Sequence, residues 1–209
     1  MLEELVPLAP IHFFSIQADC YYAKEKKLTQ KHVLPDLSQF HGRASSIEVA
    51  LGWHETGLVA TLFTKEPLDH CFFPDYQSGD SLEFFFDTRD VKTGHYLTRF
   101  CHHFYFLPHP VETNGDTVQS GEVTRFRSED RHELCDPSHL AVDLGRKQKM
   151  HIFIPAECLY GYDPSQFDRL GFTYRLNRYQ EEKEYFSAND EDFNIEQHPS
   201  FWASLKLEK

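Results

Sequence analysis

The stretch Ser81-Leu82-Glu83-Phe84-Phe85-Phe86-Asp87-Thr88 indicates the fold class of this chain. Successive side chains of a β-strand point to opposite faces, so the apolar residues at 82, 84 and 86 share one face. Glu83, Phe85 and Asp87 fall on the other face. This pattern, with apolar residues on one face and polar and aromatic residues on the other, predicts a strand that packs one face against a core.

The same alternation returns along most of the chain. It predicts strands at residues 47–53, 58–64, 81–88, 95–107, 122–127, 140–144, 150–154, 171–178 and 201–207. A polar tetrad at residues 54–57 ends in Gly57 and predicts a hairpin between the first two strands, because glycine accepts a positive φ. Many short strands separated by polar turns favour an all-β, antiparallel sandwich.

Helix is expected only as one or two short pieces. Pro155 precedes the stretch from Ala156 to Leu159, and proline is well placed at the start of a helix. Residues 17–31 are the other place where the sequence is compatible with a short helix.

Length and composition indicate one domain. The chain has 209 residues, 40% of them hydrophobic and 19 of them Phe, which suffices for a sizeable core. We expect residues 1–209 to form a single sandwich domain, because all-β sandwiches commonly reach this length. Residues 1–45 are expected to be a partly irregular extension packed on it.

Charge narrows the range of partners. The formal net charge is -12, which argues against nucleic acid, because phosphate binding needs clustered Lys and Arg. It also disfavours an anionic membrane surface, and no stretch approaches the ~18 apolar residues of a membrane span. We therefore expect neither partner.

The five cysteines predict a reduced protein. Their number is odd, their spacings are wide and no CxxC occurs, so a structural zinc site of the common kind is not expected. The first ten residues carry acids where a signal peptide has a basic start. We expect a cytoplasmic protein with five free thiols.

Four segments occur in an order that resembles the family 9 carbohydrate-binding modules and the wider DOMON-like sandwiches. Gly79 to Thr88 is similar to their GD-x-hydrophobic-E-x-F-x-D strand. Before it, Trp53 with Gly57 and Leu58 is a strand-turn-strand. After it, the segment made of residues 154–159 and 170–177 and the segment 199–207 resemble their later motifs. The resemblance covers the chain from about Ser46 to its end. It implies a jelly-roll type sandwich with a saccharide or polyol site on one concave sheet face.

The resemblance also implies roles for particular residues. In the carbohydrate-binding members a Glu, an Arg and an Asn hydrogen-bond a sugar that is held between aromatic rings. Matched along this sequence, the Glu is Glu83, the Asn is Asn177 and the Arg is Arg99.

Strand phase alone brings a similar set together. Where Phe, Leu and Tyr residues of three strands face the core, polar residues of the opposite parity project the other way. The candidate ligand-binding residues are Glu83, Phe85, Asp87, Arg99, His103, Arg175 and Asn177. We expect this face to be open to solvent, and removal of the Glu83 side chain to leave the fold nearly intact. The alternative is a solvated sheet face with cross-strand ion pairs.

A metal site is a second possibility in the same region. Cys101 and His103 stand at i and i+2 and so share a strand face, and His95 precedes them. Such ligands suit iron, zinc or copper. In the alternative interpretation His103 lies at the surface and His102 is a hydrogen-bonded core histidine.

Haem and calcium are the remaining cofactor hypotheses. Haem often takes a His and Met pair, but Met150 lies on an apolar alternation, which leaves a bis-His or His–Lys site. Residues 190–194 are acidic and could hold calcium through oxygen atoms, or they form a solvated acidic turn.

Catalysis is not expected. The sequence contains no GxSxG, GxGxxG, P-loop or HExxH motif. Glu83 and Asp87 lie about 13 Å apart along a strand by rise, more than the ~5–9.5 Å between glycosidase carboxylates. The expected function is thus non-catalytic ligand binding, with a metal or haem redox domain and a protein-interaction module as alternatives. The sequence specifies neither the ligand nor the oligomeric state.

Overall fold

The protein is described by a computed structural model over residues 15–42, 44–92, 96–123, 130–145, 149–189 and 194–209. Its strands are β1 Gln17–Tyr22, β2 Ile47–His54, β3 Gly57–Thr64, β4 Ser81–Asp87, β5 Cys101–Thr113, β6 Asp116–Glu122, β7 Ala141–Gly145, β8 Lys149–Pro155, β9 Arg169–Asn177, β10 Glu184–Tyr185 and β11 Ala203–Glu208. The prediction of an all-β fold is confirmed.

Helical structure in the described residues consists of single 3₁₀ turns. They span Lys24–Lys26, Gln30–His32, Ser38–His41, Tyr76–Ser78, Pro137–His139, Ala156–Cys158 and Pro199–Phe201. The short helix predicted after Pro155 is one of these turns. No helix among the described residues is long and apolar enough to cross a membrane.

The other segment compatible with a short helix, residues 17–31, begins as a strand and contains helix only as the 3₁₀ turns Lys24–Lys26 and Gln30–His32. Residues 17–22 form β1, which pairs in parallel with β11 on one side and with β2 on the other. Cys20 is fully buried between these neighbours. Tertiary pairing therefore decides the conformation of this segment, because β1 completes the sheet between two strands that would otherwise be edges.

The strand order is β6-β5-β4-β9-β11-β1-β2-β3-β8-β7, and β10 pairs with β9. The two pairs that involve β1 are parallel, and the other pairs are antiparallel as predicted. One near-closed sheet thus forms the two layers of the sandwich, with β1 as the junction. The predicted hairpin of β2 and β3 is present, and its register runs from Ile47–Thr64 to His54–Gly57.

Two strand boundaries differ from the prediction. β5 begins at Cys101, later than expected, and continues through Pro108 and Pro110. The register with β6 shifts between Phe106 and Val111, which accommodates prolines that cannot donate a ladder hydrogen bond. In place of the strand predicted at residues 122–127, the structure has β6, which ends at position 122. Residues 124–129 lie outside the described residues.

The main core fills the space between the two layers. Leu82, Phe84 and Phe86 of β4 are fully buried in it, as the alternation predicts. Phe84 makes edge-on ring contacts with Phe106 and Phe172, both with centroids 5.5 Å apart. Such pairs add to the free energy gained by burying the rings themselves.

The opposite face of β4, β5 and β9 is also buried, which contradicts the expected open face. Residues 68–80 cover one part of it, where Tyr76 stacks on Tyr105 with centroids 4.6 Å apart. Residues 186–189 and 194–202 cover the other part, where Trp202 packs against Phe85. β4 is consequently buried on both faces along its whole length.

The thiol prediction is wrong for two cysteines. Cys135 and Cys158 form a disulfide that links positions 23 residues apart. Cys20, Cys71 and Cys101 are free. Burial raises the pKa of the Cys20 thiol to about 12, so this cysteine is a poor nucleophile. The cytoplasmic localisation stays a prediction.

A substitution at Gly57 tests how closely the β2–β3 hairpin packs on β8. Its φ is 139°, and an added Cβ would lie 2.1 Å from the backbone oxygen of Ile154. Gly115 has a φ of 105° and open space around it, so Gly115→Ala incurs only the backbone cost of about 1–3 kcal/mol. We expect Gly57→Ala to lower the free energy of unfolding in urea clearly more than Gly115→Ala does. Equal losses would contradict the close approach.

Candidate functional site

All the predicted ligand-binding residues except Arg99 lie on the outer face of β4, β5 and β9. The antiparallel register places Glu83 of β4 beside Arg175 of β9, and Phe85 beside His103 of β5. Asn177 lies opposite Ser81 at the start of β4. The parity argument thus placed these side chains together, although it did not foresee that the face is covered.

A bidentate ion pair between Glu83 and Arg175 lies at the centre of this face. Arg175 Nε donates to Glu83 Oε1 at 2.7 Å, and Nη2 donates to Oε2 at 2.9 Å. The exposed fractions of the two side chains are 0% and 2%. Buried charges of this kind are tolerated only when they are paired and hydrogen-bonded.

Four further side chains complete the network around this ion pair. Asn177 Nδ2 donates to Glu83 Oε1 at 2.7 Å, and His103 Nε2 lies 2.6 Å from Glu83 Oε2. Gln77 Nε2 donates to Glu83 Oε2 at 3.2 Å and to Glu196 Oε1 at 3.1 Å. Glu196 also accepts a hydrogen bond from Arg175. Each of the two segments that cover the sheet therefore contributes one polar side chain to the network.

The electrostatics of the network keep Glu83 ionised. Burial raises the pKa of this carboxyl, but the hydrogen bond and charge of His103 and those of Arg175 outweigh burial and hold its pKa well below the usual range. Two buried polar atoms of the network, His103 Nδ1 and Asn177 Oδ1, have no hydrogen-bond partner within the described part of the chain. These two atoms are the positions of the network that can still form a hydrogen bond.

Phe85 is a packing residue in this structure. Its ring stacks on His103 with centroids 4.2 Å apart and lies 5.8 Å from the Trp202 ring. A cavity of only about 10 Å³ adjoins it, lined in part by Leu97 and Cys101. This is about the volume that one water molecule requires. Phe85 is therefore not placed to stack on a sugar.

Arg99 does not join the network. It lies in the turn before β5, its side chain is 44% exposed, and its guanidinium pairs with Asp130. The parity argument fails here because residue 99 precedes the start of β5 at Cys101. Arg175, the direct register partner of Glu83 on β9, is the arginine that contacts this carboxylate.

Asp87 also has a structural role. Its carboxylate accepts hydrogen bonds from the backbone amides of Arg89 at 2.9 Å and Val91 at 2.8 Å, which fixes the turn after β4. Burial raises the pKa of this carboxyl. Both oxygens are directed at the chain's own backbone.

The cofactor hypotheses have different outcomes. Cys101 lies near Thr98, and His103 is hydrogen-bonded to Glu83. His95 lies outside the described residues, as do residues 190–193 of the predicted calcium loop. The interpretation of His102 as a hydrogen-bonded core histidine is confirmed, since it is 1% exposed and contacts Glu122. The placement of His103 at the surface is wrong, since it is 6% exposed and contacts Glu83.

Sequence reasoning missed an aromatic pair at the end of the network. Phe72 and Tyr179 are 40% and 36% exposed, and their ring centroids are 5.7 Å apart. Buried Asp80, next to Ser81, holds both loops by accepting the amides of His70 and Tyr179, each at 2.9 Å. The pair comes from two distant segments, so local alternation gives no signal for it.

The architecture places the chain in the class of family 9 carbohydrate-binding-module-like β-sandwiches. Two solved structures of this class are similar to it, both of a family 9 module from Caldicellulosiruptor kristjanssonii. The complex with cellotriose has a TM-score of 0.61 at 12% identity and covers 92% of this chain and 93% of that one. The complex with glucose has a TM-score of 0.60 at 12% identity, over 92% and 95%. No protein-family model matches the sequence, and no curated protein matches it.

Glu83 generates a prediction about acid stability. Its folded pKa is depressed, so its contribution is complete above the unfolded value of about 4.3 and is lost as the pH falls below it. Glu83→Gln leaves buried Arg175 without its bidentate partner, which we expect to cost about 3–5 kcal/mol at pH 7. The variant should also lose less stability than wild type as the pH falls from about 4.5 to about 2, the range that begins at the pKa of an unfolded glutamate. Urea unfolding across this range is the measurement.

Glu157→Gln is the matched control, because the Glu157 side chain is 66% exposed and its ion pair with His139 lies at the surface. It should change stability by no more than about 1 kcal/mol. A Glu83→Gln variant as stable as this control would contradict the buried ion pair, and would restore the open face that the sequence led us to expect.

Proposed function

We propose that this chain is a non-catalytic saccharide- or polyol-binding module, with its site where Gln77 covers the Glu83–Arg175 network. The observation that carries the proposal is this network, which presents planar, preorganised donors and acceptors on a fold shared with modules solved with cellotriose and glucose. Carboxylate, guanidinium and amide groups fixed in this manner suit the hydroxyls of a sugar.

Gln77 marks the approach to the network. It is the half-buried member of the set, and its amide bridges Glu83 and Glu196. A pair of sugar hydroxyls can replace this amide, because each hydroxyl donates to a carboxylate and still accepts from a donor. Binding then exchanges two long amide–carboxylate hydrogen bonds of 3.2 and 3.1 Å for shorter hydroxyl–carboxylate ones.

The aromatic pair provides the apolar part of the site. Phe72 and Tyr179 lie beyond the Ser81 and Asn177 end of the network, and exposed rings can pack on the apolar face of a sugar. Arg178 lies beside them with Nη1 unpartnered within the described residues, and it can donate to a hydroxyl at the same place. The two rings thus lie at the surface, next to the end of the buried polar row.

The electrostatics favour binding over hydrolysis. Glycoside hydrolysis needs one carboxylic acid with a raised pKa to protonate the leaving group. The pKa of Glu83 is lowered, and Arg175 contacts both Glu83 and Glu196. Glu83, held by this guanidinium, stays ionised at neutral pH and so does not serve as the acid. Its charge supports a module that holds a saccharide without cleaving it.

Calorimetric titration with glucose and with cellotriose tests the proposal. We expect wild type to bind at least one of them, and Tyr179→Ala and Phe72→Ala each to weaken binding roughly tenfold, since a lost ring contact is worth about 1.4 kcal/mol. Gln77→Ala should bind at least as tightly as wild type, because the amide no longer has to be displaced. Phe40→Ala is the control, as Phe40 is an exposed aromatic on a separate turn.

Two results would contradict the proposal. One is a wild-type protein that binds neither these sugars nor any member of a glycan array. The other is a loss of affinity in Phe40→Ala equal to that in Tyr179→Ala, which would show binding at unspecific exposed rings.

A further inference from the structure

A second buried polar cluster lies at the edge of β5 and β6, apart from the proposed saccharide site. Glu122 Oε1 is 2.7 Å from His102 Nδ1 and 2.9 Å from His132 Nε2. The exposed fractions of these side chains are 0% for His102, 0% for Glu122 and 1% for His132. One atom of each lies within 4.8 Å of the other two.

Three separate parts of the fold position these side chains. His102 lies on β5 and faces the opposite way from His103, so the two histidines belong to different sites. Glu122 ends β6, and its second oxygen accepts the backbone amide of Cys135 at 2.8 Å. The disulfide from Cys135 to Cys158 fastens the segment that carries His132 to the same region.

Each of the two histidines has an inner nitrogen that faces Glu122 and an outer nitrogen that faces a backbone carbonyl. The hydrogen bond of the outer nitrogen determines whether the inner nitrogen carries a hydrogen. His132 Nδ1 lies 2.7 Å from the carbonyl oxygen of Arg99, and His102 Nε2 lies 3.4 Å from the carbonyl oxygen of Tyr160. A carbonyl only accepts hydrogen bonds, so these outer nitrogens carry the hydrogen. In a neutral imidazole the inner nitrogen then presents a lone pair to Glu122.

As a carboxylate, Glu122 has no hydrogen to donate to these two nitrogens. Its Oε2 accepts the backbone amide of Cys135, and its Oε1 is the atom that faces both imidazole nitrogens; a carboxylate oxygen only accepts hydrogen bonds. Two lone pairs and a carboxylate oxygen thus point at one place. Either both rings are protonated there, or a cation lies among the three groups.

We propose that His102, Glu122 and His132 bind a divalent transition-metal ion, of which zinc suits the donor set best. Two imidazole nitrogens and one carboxylate form a recurrent zinc ligand set, whereas calcium and magnesium prefer oxygen ligands. Outer imidazole N–H groups that donate to backbone carbonyls orient the rings as they do in metalloproteins. A water molecule takes the fourth position.

Binding requires a small expansion of the cluster. Bonds of about 2.0–2.1 Å in a tetrahedron separate neighbouring ligand atoms by about 3.3 Å, compared with the 2.7 and 2.9 Å between Glu122 and the two histidines. Side-chain rotation of roughly half an ångström provides this space. The ion would tie the segment with His132 to the sheet.

The experiment uses the full chain, freed of metal by chelation and titrated with Zn²⁺ and with Co²⁺. We expect one equivalent of Zn²⁺ to bind and to raise the melting temperature. A chelator should remove the ion and return the melting temperature to its metal-free value. One equivalent of Co²⁺ should give the intense visible spectrum of a tetrahedral site. His132→Gln should weaken Zn²⁺ binding by roughly 100-fold or more, beyond the effect of losing an outer-shell partner.

His151→Gln is the matched control, because His151 lies on β8 and its ring contacts Thr61 at an exposed position. It should bind Zn²⁺ as wild type does. Equal affinity in wild type and His132→Gln would show adventitious binding to surface histidines and would overturn the proposal. A wild-type protein that is folded by circular dichroism but gives no tetrahedral Co²⁺ spectrum would overturn it too, even if His132→Gln does not fold.

Discussion

The buried ion pair of Glu83 and Arg175 imposes the main constraint on this molecule. It bridges β4 and β9 in the interior of the sheet, where neither charge is solvated. An unpaired charge there would cost several kcal/mol, so the remaining hydrogen-bonding positions must also be occupied. Gln77 and Glu196 meet this need from the two segments that cover the sheet, which couples the placement of both segments to a single carboxylate.

This constraint links packing to function. A module that recognises hydroxyls needs polar groups held rigidly and partly desolvated, because preorganised groups lose little entropy on binding. The two covering segments supply that environment, while Gln77 leaves one side of the network near the surface. Asp80 extends the same rigidity to Phe72 and Tyr179, because it fastens both loops through backbone amides. The saccharide site and the His102–Glu122–His132 cluster lie on opposite faces of β5 and can be tested independently.

Much of the fold follows from local periodicity, and much of the site does not. The phase of residues 81–88 correctly predicted that Phe84 and Phe86 enter the core and that Glu83 faces away from it, beside Arg175. The phase does not reveal what covers a face, because residues 68–80, 186–189 and 194–202 fold over it through long-range contacts. Arg99 was misplaced since parity holds only inside a strand. The disulfide and the cluster at His132 join positions far apart in sequence, which spacing arguments cannot pair.

The most direct test of this account is the carboxyl titration of Glu83, followed by ¹³C NMR and assigned by the signal missing from the Glu83→Gln spectrum. Paired with Arg175 and His103, Glu83 should remain ionised far below the value of about 4.3 that an unperturbed glutamate shows. Its chemical shift should therefore stay constant until the protein unfolds in acid. A midpoint at or above about 4.3 in the folded protein would contradict the buried ion pair, and with it the covered face that organises the site.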